Sequence, residues 1–375
     1  MRFLHTSDWQ MGMRRHFLDQ HNQSIFDQAR VDAVRQLTHI AEETACAFIV
    51  VAGDIFESNF VNPRTVSRTM DALKGCNMPV FLLPANHDPL DAASVYHSTH
   101  FKASKPAHVT VLAPGETHRI GDHTEVVGAT WTSKRMPRNP LAELLETLEP
   151  VHETHYRVIV AHGAAGSLSP TPDLTEVPME ASLRAMSEDK LHYLALGDRH
   201  SKTKLHERIW FSGSPEPTDY DEDDPGYVLV VDLSPQQCLV EPHQVAAWQF
   251  VRKTIDLPLE RPADAVRHFL ENLSDKSRTI VRCTLRGTIS LKDSIEIETL
   301  IEQERERFGA IERPKHHDQL SIMPNDTDFS ELQVSGYAQS VLQQLTEEVQ
   351  QHGDQAKTAA GALALFYRLA GGGRS

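Results

Sequence analysis

Apolar runs and helical repeats alternate along the first hundred residues. Three runs have the length and composition of buried β-strands, at 3–6, 48–52 and 80–83. Apolar residues recur at helical spacing over 24–44, and a further helix is predicted near 63–74, where Pro63 suits the first turn. Strands separated by helices predict parallel pairing, with the helices packed on the faces of the sheet.

Beyond residue 108 the pattern changes to short β-runs with one helical stretch at 141–148. The β-runs lie at 109–112, 125–127, 158–161, 193–196, 209–212 and 227–231. A second sheet packed on the first would explain this change, so we expect an α/β protein, a two-sheet β-sandwich flanked by helices. The segment 164–182 is rich in Ser, Pro, Thr and Gly and is expected to be a mobile loop or a lid over a site.

A boundary is predicted near residue 250, so that 1–250 forms one domain. After it, a β-α-β-α pattern predicts a small α/β domain at 251–315, followed by a linker at 316–328. The C-terminal segment 329–371 carries two helical patterns. The second of these, at 355–370, has a broad apolar face that would pack on the protein itself or dock on a partner.

Each strong apolar strand of the first 200 residues ends in a residue that can bind a metal. These ends are Ser7-Asp8-Trp9-Gln10, Gly53-Asp54, Asn86-His87-Asp88, Ala161-His162 and Gly197-Asp198-Arg199-His200. One such end is more often a helix cap or a turn, but five in this order are not expected by chance. Ligands gather at the carboxyl ends of strands in α/β sheets, so the set predicts a polynuclear metal centre. Two ions about 3.5–4 Å apart can hold the attacking and leaving oxygens of a phosphoester.

The charge balance restricts the choice of substrate. The chain has 37 Lys and Arg against 52 Asp and Glu, a formal net charge of −15. Proteins that bind nucleic acid by neutralising phosphates usually carry a basic surplus, so DNA binding would need a local basic or metal-lined groove, or a partner that supplies the charge. No apolar run is long enough to span a membrane, and the first residues lack the apolar stretch of a signal peptide. We therefore expect a cytoplasmic protein with no membrane partner.

The strand ends resemble the motifs of the calcineurin-like metallophosphoesterase superfamily. Those motifs are Asp-x-His, Gly-Asp, Gly-Asn-His-Asp or Glu, a lone His after a strand, and Gly-His-x-His. More closely, four segments resemble the SbcD-like DNA repair exonucleases, at 4–9, 52–56, 195–200 and 212–217. The resemblance is strong over 1–250 and weak beyond it. It implies a metallophosphoesterase fold, a capping domain at 251–315 and partner-binding helices within 329–371.

The resemblance also implies a DNA nuclease that uses two divalent ions, Mn²⁺ above all, with Mg²⁺ as the alternative. Its implied partners are DNA and an SMC-like coiled-coil ATPase, and family members commonly form homodimers. The implied metal ligands are Asp8, Gln10, Asp54, Asn86, His162, Asp198 and His200. Among these, Asp8 and His200 would bind metal one. Asp54 would bridge both metals, and Asn86 and His162 would bind metal two.

Two further residues match catalytic positions of the family. His87 would polarise the phosphate or protonate the leaving oxygen, and Asp88 would orient His87 through a hydrogen bond. Arg14, Arg15 and Arg199 are candidates for substrate binding, although solvated loop charges or a salt bridge would also explain them.

The sequence departs from the family pattern at three positions. Gln10 stands where the family usually has His, and its amide oxygen is a weaker ligand for a transition metal than imidazole. Asp198 replaces the first His of Gly-His-x-His and would be a harder ligand, which favours manganese or magnesium over zinc. Ala85 replaces a Gly and should affect only the turn. The acidic run 219–224 is expected to form a solvent-exposed loop.

These departures leave alternatives to an exonuclease or endonuclease of DNA repair. One alternative is a phosphodiesterase or phosphatase for small nucleotides or phosphoproteins, although the additional domain after 250 favours a macromolecular substrate. Another is a degenerate site, in which Gln10 and Asp198 mark a subunit that binds DNA or an ATPase without cutting.

Overall fold

The computed structural model describes residues 1–166, 175–322 and 336–349, together with single positions between 355 and 366. The chain divides into two compact units, Met1–Trp248 and Gln249–Ser375. The first unit contains two six-stranded sheets of mixed direction with helices packed against them. The predicted α/β sandwich with flanking helices is confirmed.

The first unit is built from short elements that alternate along the chain. Its strands are β1 (Arg2–Thr6), β2 (Ile49–Val51), β3 (Val80–Leu82), β4 (Val109–Val111), β5 (Thr117–Ile120), β6 (Thr124–Gly128), β7 (Tyr156–His162), β8 (Tyr193–Gly197), β9 (Thr203–His206), β10 (Ile209–Phe211), β11 (Tyr227–Leu233) and β12 (Cys238–Gln244). Its α-helices are α1 (Gln20–Glu43), α2 (Pro63–Leu73), α3 (Thr99–Ser104), α4 (Pro140–Thr147) and α5 (Met179–Ser187). A short 3-10 helix spans Val95–His97.

The strand order brings the predicted site strands together in parallel. The first sheet has the order β12-β11-β1-β2-β3-β4, and β1 to β4 run parallel. The second sheet has the order β5-β6-β7-β8-β10-β9, in which β6, β7, β8 and β10 run parallel. The strand ends that carry the predicted ligands therefore share an edge within each sheet.

Both faces of the central strands are buried, which explains their continuous apolar runs. In β1, Phe3 lies in the core between the two sheets, whereas the next residue, Leu4, packs in the core beneath α1, α2 and α3. In β7, Val160 faces the inter-sheet core and Ile159 faces the core beneath α4 and α5. This alternation follows from the two-residue period of a β-strand.

The second unit is a small sheet of parallel pairs with helices. Its elements are β13 (Gln249–Asp256), α6 (Pro262–Glu271), β14 (Thr279–Ile289), α7 (Leu291–Glu304), β15 (Ala310–Glu312), β16 (Gln319–Ile322) and α8 (Tyr337–Val349), with 3-10 helices at Lys276–Arg278, Arg305–Arg307 and Lys315–His317. Strands β13, β15 and β16 all pair with β14. β16 lies inside the segment 316–328 for which the sequence predicted a linker; the rest of that linker, and much of 329–371, lie outside the described residues.

The sequence pattern missed the edge strands β5, β9 and β12. These strands alternate between half-buried and exposed residues, so they lack the apolar runs that mark the central strands. Helix α5 begins inside the predicted loop 164–182, and residues 167–174 of that loop lie outside the described residues. In the described part of the chain, no helix combines the length and the apolarity needed to cross a bilayer.

Candidate metal centre

The predicted ligands after β1, β2, β7 and β8 meet at one place in the first unit. Nε2 of His162 lies 3.4 Å from Oδ2 of Asp54 and 3.7 Å from Oδ1 of Asp198. Nε2 of His200 lies 3.8 Å from Oδ1 of Asp8. One ligand atom each from Asp8, Asp54 and His162 lie within 4.8 Å of one another, and all three residues are buried.

Three of the predicted ligands present buried atoms that lack a hydrogen-bond partner among the described residues. These atoms are Oε1 of Gln10, Oδ1 of Asn86 and Nε2 of His162. Buried polar atoms rarely remain without a partner in proteins. Amide oxygens and imidazole nitrogens offer lone pairs to cations, so the residues present fit a site for divalent metal ions.

Three histidine rings are held by acceptors at Nδ1, which leaves Nε2 to face the centre. Nδ1 of His162 lies 2.8 Å from the carbonyl oxygen of Ala52, and Nδ1 of His87 lies 3.0 Å from the carbonyl oxygen of Glu57. Nδ1 of His200 lies 2.9 Å from a carboxylate oxygen of the acidic run 219–224. A carbonyl oxygen only accepts, so Nδ1 of His162 and of His87 carries the hydrogen. Contacts of this kind fix the ring and the tautomer of metal-binding histidines.

The ligand loops are strained at the residues that point into the centre. Asp8, Gln10, Asp54 and Asp198 all have positive φ, between 43° and 99°. Such angles are uncommon outside glycine and cost about 1–3 kcal/mol each, so they persist where the surrounding structure enforces them, often at functional sites. Here the loops support each other, since the backbone N–H of Gln10 donates to the carbonyl of Asp54 at 2.9 Å.

The glycines before two of these aspartates leave room for His162. At Gly53, which has a φ of +95°, an added Cβ would lie 2.3 Å from Nδ1 of His162. At Gly197, an added Cβ would lie 1.9 Å from the carbonyl oxygen of Ala52 and 2.8 Å from the same Nδ1. The Gly-Asp pairs of the sequence therefore reflect close packing of two strand ends around His162.

The buried carboxylates of the centre favour positively charged groups close to them. Burial raises the pKa of Asp8, whose oxygens accept from Ser7 Oγ at 2.5 Å and from the backbone N–H of Asp198 at 3.1 and 3.2 Å. Burial would also raise the pKa of Asp54, but His162 and His87 outweigh it and lower that pKa. Burial opposes the charged form of His162, yet Asp54, Asp8 and Asp198 hold its pKa well above the ordinary value. A divalent cation would supply the same compensation.

Asp88 does not have the role predicted for it. Its side chain accepts from the backbone N–H of Phe56 at 3.0 Å, from that of Ala85 at 3.1 Å and from the Tyr96 hydroxyl at 2.6 Å. Burial, with Asp54 nearby, raises the pKa of Asp88 to about 8. In place of the predicted hydrogen bond to His87, the residue ties the turn after β3 to the loop after β2. The ring of His87 is oriented instead by the carbonyl of Glu57.

The sequence predicted that the acidic run 219–224 would form a solvent-exposed loop, but part of this run is buried. Glu222 has only 6% of its side chain exposed, and Oε1 lies 2.9 Å from Nδ1 of His200. Asp223 follows the expectation, with 88% exposed. Sequence reasoning missed Glu222 because nothing in the run distinguishes one acidic residue from its neighbours.

A second residue that the sequence did not reveal is Arg30, in the middle of α1. Its buried guanidinium donates to the carbonyl of Trp9 at 2.9 Å and to that of Pro217 at 3.1 Å. Trp9 lies between two predicted ligands, and Pro217 precedes Thr218, which contacts His200. Arg30 therefore ties together the backbones of two loops at the centre.

Two clefts carry the predicted substrate residues. A cleft of about 550 Å³ is lined by Gln10, His87 and His200 together with Arg15 and Arg199. Arg199 also donates to Thr203 Oγ1 at 2.7 Å and approaches Asp223 at 3.9 Å.

The other cleft measures about 900 Å³ and is lined by four arginines: Arg14, Arg15, Arg64 and Arg68. Arg15 lines both clefts and donates to the carbonyl of Thr218. Arg14 lines only the larger of these two clefts.

Comparison with known proteins bears on what this arrangement does. A sequence model of the calcineurin-like phosphoesterase family matches residues 1–237. The DNA double-strand break repair protein Mre11 of Archaeoglobus fulgidus is 31% identical over 101 residues, which cover 26% of this chain and 22% of that protein. One subunit of the SbcCD nuclease of Bacillus subtilis is 22% identical over 293 residues, which cover 69% of this chain and 71% of that protein.

Solved structures also resemble the chain. A dimetal phosphatase from Danio rerio aligns with a TM-score of 0.42 and 11% identity, covering 65% of this chain and 96% of the phosphatase. TT1561 of Thermus thermophilus aligns with a TM-score of 0.40 and 12% identity, covering 65% of this chain and 98% of that protein.

Proposed function

Because the chain belongs to the calcineurin-like phosphoesterase family, we propose that it is a two-metal phosphodiesterase that cuts DNA, as an exonuclease or endonuclease in DNA repair. The observation that carries this proposal is the set of buried polar atoms on Gln10, Asn86 and His162 that have no hydrogen-bond partner among the described residues. They lie at the ends of strands that also deliver Asp8 and Asp54. Such a set is costly to bury unless it binds cations.

The seven predicted ligands would together hold two metal ions. Asp8, Gln10 and His200 would hold one ion, Asn86 and His162 the other, and Asp54 both, while Asp198 lies next to His162. When bound, two divalent cations would activate a water molecule and neutralise charge that develops on the phosphate. The three carboxylates bring a formal charge of about −3 against +4 from the ions, so the loaded site would attract a phosphodiester.

His87 is the residue proposed to complete the reaction. Its Nδ1–H donates to the Glu57 carbonyl, and its Nε2 lies 3.9 Å from Oδ2 of Asp54. The ring lines the cleft of about 550 Å³ that Gln10 and His200 also line. A protonated imidazole in this position would give its Nε2 proton to the leaving oxygen. The backbone N–H of His87 donates to Oδ1 of Asp54 at 3.2 Å, so the acid is held next to the bridging ligand.

DNA is the proposed substrate because a basic surface adjoins the centre. The chain is acidic overall, yet four arginines line the larger cleft, and Arg15 connects that cleft with the one at the metal ligands. Arginine is well suited to phosphate oxygens because its planar group donates two parallel hydrogen bonds. By their names, one relative repairs DNA double-strand breaks and the other is part of a nuclease, which supports the same substrate.

We propose Mn²⁺ as the metal and an SMC-like ATPase as a partner, with a homodimer as the form of the nuclease. The oxygen-rich ligand set, with Asp198 in place of a histidine, supports Mn²⁺ or Mg²⁺ over zinc. The bacterial relative is named as one subunit of a nuclease, which supports a partner subunit here.

The test is digestion of end-labelled double-stranded DNA by the purified protein in Mn²⁺, in Mg²⁺ and in EDTA. An Asp54→Ala variant serves as the control, and a bis-phosphodiester dye is assayed in parallel. We expect Mn²⁺-dependent cleavage of both substrates that the variant lacks. Dye hydrolysis without DNA cleavage would favour a small substrate or a missing partner, and inactivity on both would favour a degenerate site.

A further inference from the structure

Glu222 lies next to Nδ1 of His200, the ring nitrogen that does not face the metal centre. Its carboxylate accepts from the backbone N–H of Thr218 at 2.9 Å and from that of Asp219 at 3.2 Å. It also accepts from the Thr218 hydroxyl, and Oε1 lies 2.9 Å from Nδ1 of His200. One nearly buried anion thus gathers donors from the turn that follows Pro217 and from a predicted metal ligand.

The directions of these hydrogen bonds determine which tautomer His200 adopts. Both oxygens of Glu222 act as acceptors for backbone N–H groups, and the Thr218 hydroxyl likewise gives its single hydrogen to Glu222. Oγ1 of Thr218, 2.6 Å from Nδ1 of His200, is then left as an acceptor. Both neighbours of Nδ1 therefore require a hydrogen there, and the lone pair of the ring is on Nε2, which lies 3.1 Å from Nε2 of Gln10 and 3.8 Å from Oδ1 of Asp8.

We propose that Glu222 is a positioning residue for the metal centre. It fixes the ring and the tautomer of His200 so that Nε2 is presented as a ligand. The inference rests on the proposed function, because it assumes that His200 binds a metal. A carboxylate behind a ligating histidine also makes the imidazole a stronger base and hence a better ligand.

The position of Glu222 matters because of Gln10. Nε2 of Gln10 lies 3.1 Å from Nε2 of His200, so the amide belongs to the same half of the centre. An amide is a weaker ligand than imidazole for a transition metal. His87 and His162 are held by neutral backbone carbonyls, whereas His200 is held by an anion. The extra negative charge thus strengthens the half of the centre in which Gln10 stands where the family usually has a histidine.

A simpler role would be to clamp the turn at Thr218 and Asp219, for which the two backbone contacts suffice. The two roles predict different results for metal binding. A clamp affects the folding of the loop, and Glu222 would then influence both ions through general destabilisation. A positioning residue affects the ion bound by His200 and leaves the ion bound by Asn86 and His162 in place.

The test compares Glu222→Gln with Asp223→Asn, which removes the same charge from an exposed residue of the same loop. Mn²⁺ binding to the full-length protein is measured by calorimetry. Nitrogen coordination is followed by electron spin echo modulation of the Mn²⁺-loaded protein, and the His200 signal is assigned with His200→Gln. Thermal unfolding of the metal-free variants reports on the loop. Should Glu222→Gln not fold, Glu222→Asp keeps the charge and withdraws it from His200.

We expect Glu222→Gln to weaken one of two Mn²⁺ binding events by about 10–100-fold and to diminish the His200 nitrogen signal. Asp223→Asn should match the unmodified protein in both measurements. Unchanged binding and signal in Glu222→Gln, or equal weakening of both ions with a lowered unfolding temperature, would overturn the inference. These readouts do not depend on cleavage. A protein that binds two ions but cuts no phosphodiester would therefore refute the proposed function and leave the inference about Glu222 in place.

Discussion

At the scale of single residues, each imidazole near the centre is held through Nδ1, so its proposed role falls to Nε2. His162 and His200 direct Nε2 toward buried carboxylates, as ligands would. The side chain of His87 is more exposed, and its ring lines the cleft where a substrate would enter. Nε2 of His87 also lies 3.9 Å from Oδ2 of Asp54, so the greater exposure of its side chain is what separates the proposed acid from the proposed ligands.

Replacing His87 should separate catalysis from metal binding. We expect His87→Ala to lower kcat on the dye substrate by about 10²–10⁴-fold, the contribution typical of a general acid. Mn²⁺ affinity measured by calorimetry should remain close to that of the unmodified protein, because His87 is not a proposed ligand. His39→Ala, at an exposed position on α1, provides the matched control. A parallel loss of metal affinity would show that His87 is a ligand instead.

A different histidine, His5 on β1, should make the fold sensitive to acid. Its Nδ1 lies 3.1 Å from the Tyr193 hydroxyl and its Nε2 lies 3.2 Å from the carbonyl of Leu196, so the neutral ring satisfies both partners. Burial lowers the pKa of His5 to about 3. Between pH 6.5 and about 3 the unfolded chain therefore binds a proton that the folded chain does not. The free energy of unfolding must fall as the pH falls through this window, by about 1.4 kcal/mol per pH unit for one proton.

The measurement is urea unfolding in EDTA at pH 7, 6 and 5. His5→Gln keeps a donor and an acceptor but does not titrate, so it should lose about 2 kcal/mol less stability than the unmodified protein between pH 7 and pH 5. His39→Gln should leave the pH dependence unchanged. Equal acid sensitivity in His5→Gln and the unmodified protein would mean that His5 is charged in the folded state.

At the scale of elements, strand ends and loops differ in how far the sequence predicts them. The ends of β1, β2, β7 and β8 follow continuous apolar runs, so their positions, and the residues that follow them, can be predicted locally. The partners of those residues cannot be predicted in this way. His200 and Glu222 are 22 residues apart and meet only because the turn at Thr218 folds back. Asp88 adjoins His87 in sequence but bonds to Phe56, Ala85 and Tyr96.

The glycine after β2 offers a test of how closely the strand ends must pack. Gly53→Ala introduces a Cβ that meets His162 and Ala85 in a backbone with a φ of +95°. Gly115→Ala is the matched control, because Gly115 has a φ of +75° and no atom within 4 Å of an added Cβ. Gly115→Ala should cost only the backbone strain, about 1–2 kcal/mol. Gly53→Ala should cost a further ~1–3 kcal/mol from overpacking and should also weaken Mn²⁺ binding by displacing His162.

Chemical denaturation and calorimetry on the two variants check this prediction. If both variants lose the same stability and both bind Mn²⁺ normally, the crowding around His162 is relieved by small shifts, and the glycine serves only the turn.

At the scale of the whole molecule, the net charge of −15 opposes DNA binding, so affinity for DNA would need a local basic or metal-lined groove, or a partner that supplies the charge. The larger cleft offers a local basic surface, since Arg64 and Arg68 on α2, together with Arg14 and Arg15, outnumber the two aspartates that line it. Composition alone could not predict this surface, because the four arginines come from two separate segments that only the fold brings together.

This cleft leads to a prediction about the salt dependence of DNA binding. Each phosphate contact that an arginine makes releases counterions, and its loss should reduce the slope of log K against log salt by about 0.9. We expect Arg64→Ala and Arg68→Ala each to lower the slope by about this amount, and by about twice as much together, in fluorescence anisotropy with labelled DNA. Dye hydrolysis should not change, because neither residue lines the cleft at the metal ligands. Arg35→Ala, an exposed position on α1 that pairs with Asp32, is the control. An unchanged slope in the double variant would place the DNA outside this cleft, even if the metal centre cuts phosphodiesters.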